Sequence, residues 1–172
     1  MTILIYILVF LIGFTALVFI IGLLLPKERV VTCETIYNAP PEIVYDIVTD
    51  NENWTYRSEL ENLEITERSG EKEVWIETTR DGAVTTFRTL EKKPCSFYSF
   101  SMENKMFRGY WTADFIPEDG DKTLFRAEEH ISVKNSFVKA VSYVFFDIRR
   151  LMEQYQENLR FEIERKTMRL TR

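Results

Sequence analysis

Hydrophobic and polar positions fall into three rhythms along this chain. Residues 2–25 carry no charge at all and end against Pro26-Lys27-Glu28-Arg29. As a helix rising about 1.5 Å per residue, such a run is roughly 36 Å long, enough to cross a hydrocarbon core of about 30 Å with some tilt. It lacks the basic start, short apolar run and small-residue cleavage site of a signal peptide, so it predicts a retained transmembrane helix. The second rhythm has period two. Runs at residues 30–37, 63–67, 73–79, 84–90, 97–102, 107–116 and 123–133 are rich in β-branched and aromatic residues. Turn signals separate most of them: Ser69-Gly70, Asp81-Gly82, Lys93-Pro94, Glu103-Asn104 and Asp119-Gly120. Spacing of this kind predicts an antiparallel meander. In the sixth run Phe107, Gly109, Trp111, Ala113 and Phe115 share a face; in the seventh Phe125, Ala127, Glu129 and Ile131 do.

The third rhythm has spacings of three and four. Between the first two strands, Pro40-Pro41 opens a short helix with Ile43, Val44, Ile47 and Val48 on one face, and residues 53–59 predict a second. Near the C-terminus Phe137, Val141, Val144, Ile148, Leu151, Tyr155 and Leu159 form a stripe, widened by Val138, Phe145 and Met152. This predicts one long helix over residues 136–166 whose stripe packs on the sheet.

Composition narrows the partners. All 22 basic and 27 acidic residues lie beyond the apolar run, so the downstream part carries the whole formal charge of −5. An acidic domain argues against nucleic acid, which needs a basic face. Lys27 and Arg29 follow the apolar run with no Lys or Arg before it, so the positive-inside rule predicts a single-pass protein of the cell membrane with a cytoplasmic domain. Cys33 and Cys95 have no metal-ligand or CxxC spacing, which predicts free thiols. The expected organisation is an anchor at 1–26, a junction at 27–29, one domain at 30–166 and a basic tail at 167–172.

The order of elements, an α+β arrangement with a seven-stranded sheet, two short helices and a long C-terminal helix, resembles the helix-grip fold of the SRPBCC (START/Bet v 1-like) superfamily. Residues 38–50 (NAPPEIVYDIVTD) look like its strand-to-helix passage, with Asn53-Trp54 after it. Residues 111–120 (WTADFIPEDG) look like its penultimate hairpin, and Asn135-Ser136-Phe137 like the start of its last helix. The relatives this suggests are membrane-anchored bacterial polyketide cyclase/dehydrase-like proteins. The resemblance implies a curved sheet around the long helix, with an apolar cavity between them for a lipid or other hydrophobic small molecule.

Candidate lining residues are Phe87, Tyr98, Phe100, Phe107, Trp111, Phe115, Phe125, Glu129, Val144, Ile148 and Leu151. The same aromatic stripe would serve equally as a filled core. General acid–base chemistry has only weak candidates: Glu129, placed inward by parity, and the lone His130, placed outward. HExxH, GxSxG and P-loop patterns are missing, as is any His/Cys cluster, so no cofactor or metal is expected. Three readings stand: a membrane-tethered binding domain for an apolar ligand or lipid, a non-catalytic interaction module with a filled core, and a cyclase- or dehydratase-like enzyme. The sequence names no protein partner.

Overall fold

Residues 2–170 are described by a computed structural model; Thr171 and Arg172, the end of the expected basic tail, lie outside them. Helix α1 (Thr2–Leu24) is exposed along nearly its whole length, and by length and composition it can cross a membrane. It leads through a four-residue junction into β1 (Arg29–Tyr37). Helix α2 (Pro41–Thr49) follows, started by Pro41, whose missing N–H costs nothing in a first turn. Its apolar face buries Val44, Tyr45, Ile47 and Val48. The second short helix predicted over 53–59 is reduced to a 3-10 turn at Trp54–Tyr56.

Six strands then run as a meander: β2 (Leu60–Ser69), β3 (Lys72–Thr79), β4 (Val84–Lys93), β5 (Phe97–Glu103), β6 (Phe107–Glu118) and β7 (Lys122–Val133). The last strand closes on the first, giving the order β1-β7-β6-β5-β4-β3-β2 with every pair antiparallel. Register shifts in β2 and β4 add bends to the sheet. At Gly109 the backbone of β7 comes so close that a Cβ would stand 2.1 Å from the His130 carbonyl oxygen. Only glycine lets β6 approach there.

The long helix predicted over 136–166 is two helices, α3 (Ser136–Phe145) and α4 (Ile148–Leu170). Phe146 between them is extended, and two side chains fix the break. Arg29 Nη1 donates to the Ser142 and Phe146 carbonyls at 3.1 Å each, closing α3. Asp147 Oδ1 accepts from the Arg150 N–H and opens α4. The predicted stripe is therefore split between two partners. Its α4 part (Ile148, Met152, Leu159, and half-buried Tyr155) packs inward, whereas Phe137, Val141, Val144, Phe145 and Leu151 are exposed. Helix α3 packs on α1 instead.

Helix α4 does not lie over the middle of the sheet. It rests on β1, α2 and the 54–56 turn. Buried Gln156 clamps it to the edge strand: its Oε1 accepts from Thr35 Oγ1 at 2.7 Å, its Nε2 donates to the Cys33 carbonyl and its own carbonyl accepts from Tyr37 OH. The sealed core sits beneath this contact, with Tyr37, Val44, Tyr98, Phe115, Phe125 and Leu159 at its centre.

Candidate functional site

The inner face of the sheet is a continuous aromatic surface. Parity puts Trp75 of β3, Phe87 of β4, Phe100 of β5 and Trp111 of β6 on it, and their rings meet edge to face or stacked. Trp75 stacks on Phe87 at 5.3 Å and Phe100 on Trp111 at 4.9 Å. Tyr155 of α4 reaches down to Trp111, and Tyr56 stands beside Tyr155. On the strands that α4 leaves uncovered, Ile65, Phe87, Phe100, Phe107 and Val133 are only half-buried. They form a half-buried apolar strip, a shallow trough, along the inner face of the curved sheet.

A polar assembly closes one flank of this trough. Arg57 is buried and its Nη1 bonds Glu77 Oε1 at 2.7 Å; Trp75 Nε1 donates to the same oxygen at 2.9 Å. Burial pushes the Glu77 carboxyl up, and Arg57 and the Trp75 N–H pull it partly back. Asn51 accepts from Arg57 and donates to buried Glu73. Within this assembly Arg57 Nε, Tyr56 OH and Tyr98 OH are buried without a well-aligned hydrogen bond among the described residues, although Tyr56 OH stands close to Arg57 and Tyr155 and Tyr98 OH close to Thr89 and Asn51. Such atoms are rare in folded proteins and call for a reason. Here the two hydroxyls and the N–H are closed off from solvent behind the aromatic wall.

Glu129 lies on the same inner face, directly opposite Val31 and Trp111 in the two adjoining strands. It is half-buried and has neither ion pair nor hydrogen bond among the described residues, and burial pushes its carboxyl up to about 7. Nearby Cys33 is buried too, and burial likewise raises its thiol. Cys33 borders a polar cleft of about 570 Å³ between β1 and α4, lined also by Arg149, Glu153, Gln156 and Arg160. His130 belongs to the opposite face. It stacks on Tyr110 at 4.0 Å, and its Nε2 pairs with Glu128 at 2.6 Å. This pair and Thr32 hold the Glu128 carboxyl below its usual range.

The sequence-derived lining residues thus separate into three groups. Phe87, Phe100, Phe107 and Glu129 line the trough with surface to spare. Tyr98, Trp111, Phe115, Phe125 and Ile148 are buried, the last three far under α4 or α2 packing. Val144, 75% exposed, lies outside the site because α3 packs on α1, and Leu151 lies outside it on the exposed side of α4. Arg57, Glu77 and Tyr56 were not singled out by sequence. Glu77 had a signal, sharing parity with Trp75; Arg57 had none, since its partner is 20 residues away.

No match was found among curated proteins. Solved structures share the fold at low identity. The ZhuI aromatase/cyclase from Streptomyces sp. R1128 aligns with a TM-score of 0.70 at 13% identity, over 81% of this chain and 96% of its own. A START superfamily protein from Mycobacterium smegmatis gives 0.62 at 18%, over 79% and 97%. Norcoclaurine synthase from Thalictrum flavum, in complex with dopamine and hydroxybenzaldehyde, gives 0.64 at 13%, over 80% and 87%. At these identities the likeness establishes the helix-grip fold alone. The family model for polyketide cyclase / dehydrase and lipid transport matches residues 29–164, nearly all of the chain beyond α1, and this chain belongs to that family.

Proposed function

We propose that the domain binds a hydrophobic small molecule or lipid in the trough on the inner face of the sheet beside α4, while α1 holds it at a membrane. The observation that carries this reading is the half-buried aromatic surface of Phe87, Phe100 and Phe107 on the inner face, with the buried polar groups of Tyr56, Arg57 and Tyr98 behind its wall. Apolar walls with a few oriented polar groups are the usual make-up of a small-molecule site. The family description, which names lipid transport beside cyclase and dehydrase chemistry, and the fold of ring-handling relatives support the same reading. In this reading the domain sits on the cytoplasmic side of the cell membrane in a single-pass arrangement, a side supported by Lys27 and Arg29 directly after the apolar run.

A second reading, a cyclase- or dehydratase-like enzyme, is favoured by one feature: Glu129 titrates near neutrality on the inner face, as an acid–base group must. The test is thermal unfolding of the full chain in detergent, with and without a membrane-lipid extract, followed by native mass spectrometry. A ligand that binds only the folded state raises the midpoint by mass action. A raised midpoint with a retained adduct supports binding; neither one, with Tyr98→Phe and wild type indistinguishable, assigns the domain to the filled-core interaction module. A substrate turned over by wild type and not by Glu129→Gln would convert the reading to the enzyme.

A further inference from the structure

Helix α3 has an apolar face that the domain leaves bare. Val144 is 75% and Phe145 81% exposed, with Phe137, Val141 and Phe146 beside them. A contiguous apolar patch on a soluble surface marks an interaction site, and the position of α3 names the partner. On α1, otherwise exposed, Val18 and Leu25 are half-buried and Gly22 is buried, a stripe at spacings of four and three. Residues 18–25 span about 10 Å of helix. The contact is close enough that a Cβ on Gly22 would stand 1.8 Å from the Ser136 carbonyl oxygen. Lys139, itself buried, donates through Nζ to the Leu25 carbonyl at 3.1 Å, one of the groups that the end of α1 leaves without an intrahelical partner. In return Arg29, four residues after Leu25, closes the C-terminus of α3 and lies over the Tyr143 ring at 4.6 Å. The two helices are thus locked by reciprocal cations, at the depth of the last two turns of α1.

We infer that α3 lies in the headgroup–acyl boundary of the bilayer that α1 spans, with Val141, Val144, Phe145 and Phe146 in the acyl region, so that the domain has two membrane contacts and a fixed orientation. The inference rests on the membrane reading of α1: if α1 crosses, whatever packs against its last two turns shares that depth. Polar and charged neighbours agree with an interfacial position. Lys27 and Arg150 are exposed beside the patch along the chain, with Glu28 and Asp147 among them, while Arg149 turns to the Thr32 carbonyl of β1. The β5–β6 tip, tied to the start of α3 through the Lys134 N–H and the Met106 carbonyl, comes to the same surface with exposed Lys105 and Met106. Phe107 and Val133 adjoin that tip, so the end of the trough formed by those residues faces the lipid.

The test uses the wild-type full chain in phosphatidylcholine nanodiscs doped with a phosphatidylcholine carrying an acyl-chain diazirine. Photolysis is followed by residue-level mass spectrometry. The expected result is adducts in residues 2–24 and at Val144 and Phe145, several-fold above those in the 118–122 hairpin at the opposite end. Adducts in 2–24 with residues 137–146 no higher than that hairpin would overturn the inference, leave the anchor standing and assign the face to a protein partner. Loss of adducts in 2–24 as well would overturn the membrane reading and this inference together.

Discussion

Glu77 and Glu129 face the same interior from different strands, and burial pushes both carboxyls up. What differs is company. Glu77 shares one oxygen between Arg57 at 2.7 Å and the Trp75 indole at 2.9 Å. Glu129 has Trp111 and Val31 across the ladder and no hydrogen-bond donor among the described residues. The first is therefore a fixed charge that ties the 54–57 segment to β3. The second is free to hold or release a proton within the physiological range. An identical side chain on one inner face becomes a strut in one place and a titratable group in the other, decided by whether a cation was folded in beside it.

The hardest way to break the comparison is to make Glu77 resemble Glu129. Arg57→Met leaves the Glu77 carboxylate inside without its cation, and stability is expected to fall by about 3–5 kcal/mol, as when one member of a buried pair is removed. The double variant Arg57→Met, Glu77→Gln keeps an oxygen for the Trp75 N–H and recovers the larger part. Denaturation midpoints of the two variants check this; equal losses in both would mean that Glu77 is not held as a charged strut.

Glu129 carries the next largest effect, through pH. Its carboxyl titrates near 4.5 in the unfolded chain and about 7 in the fold, so between those values the folded state binds more protons. Stability contributed by this group is then full below pH about 4.5 and declines as pH rises through 7, by roughly 3 kcal/mol at most. Glu129→Gln should flatten this part of the profile and equal or exceed wild-type stability at pH 8. A wild-type profile that rises over pH 5–7, unaltered by the substitution, would show that Glu129 is solvated like any surface carboxylate.

Much of this arrangement was legible in the chain and some was not, for physical reasons. Strand parity placed Glu129 inward and His130 outward because every side chain in an unbulged strand is bound to a two-residue period. The α3–α4 break was invisible to the same logic. Hydrophobic spacing runs unbroken from Phe137 to Leu159, and what ends α3 is Arg29, more than a hundred residues earlier. Asp147 could have signalled a new helix start, but an isolated Asp in an apolar stripe reads equally well as a solvated position. Arg57 escaped notice for a related reason. A cation on a turn is ordinarily at the surface, and only the pairing of β2 with β3 brings Glu77 beneath it. Period reports which face a residue takes, whereas long-range ion pairs report what the fold brings together.

Trp111 sharpens the contrast at smaller cost. Its ring, stacked on Phe100, stands opposite Glu129 on the neighbouring strand as apolar cover. Trp111→Phe removes part of that cover at about 1–2 kcal/mol of stability by lost buried area. Better hydration should bring the Glu129 carboxyl down toward its ordinary range, which a carboxyl-carbon NMR titration would read directly. An unmoved titration would mean that other groups of the inner wall set the desolvation.

The smallest effect belongs to a third carboxylate, on the β1–β7 pair. Glu34 of β1 faces outward, where Arg126 of β7 meets it at 2.5 Å with both side chains about half exposed. Its geometry is as close as that of Glu77 with Arg57, yet both partners stay in water in the unfolded and the folded chain. Little is desolvated, and little is gained. Arg126→Ala is expected to leave the denaturation midpoint unresolved from wild type, and the slight difference that low salt reveals should vanish at high ionic strength. A loss comparable to that of Arg57→Met would mean that the short contact rather than burial carries the energy, and would remove the distinction drawn between Glu77 and Glu129.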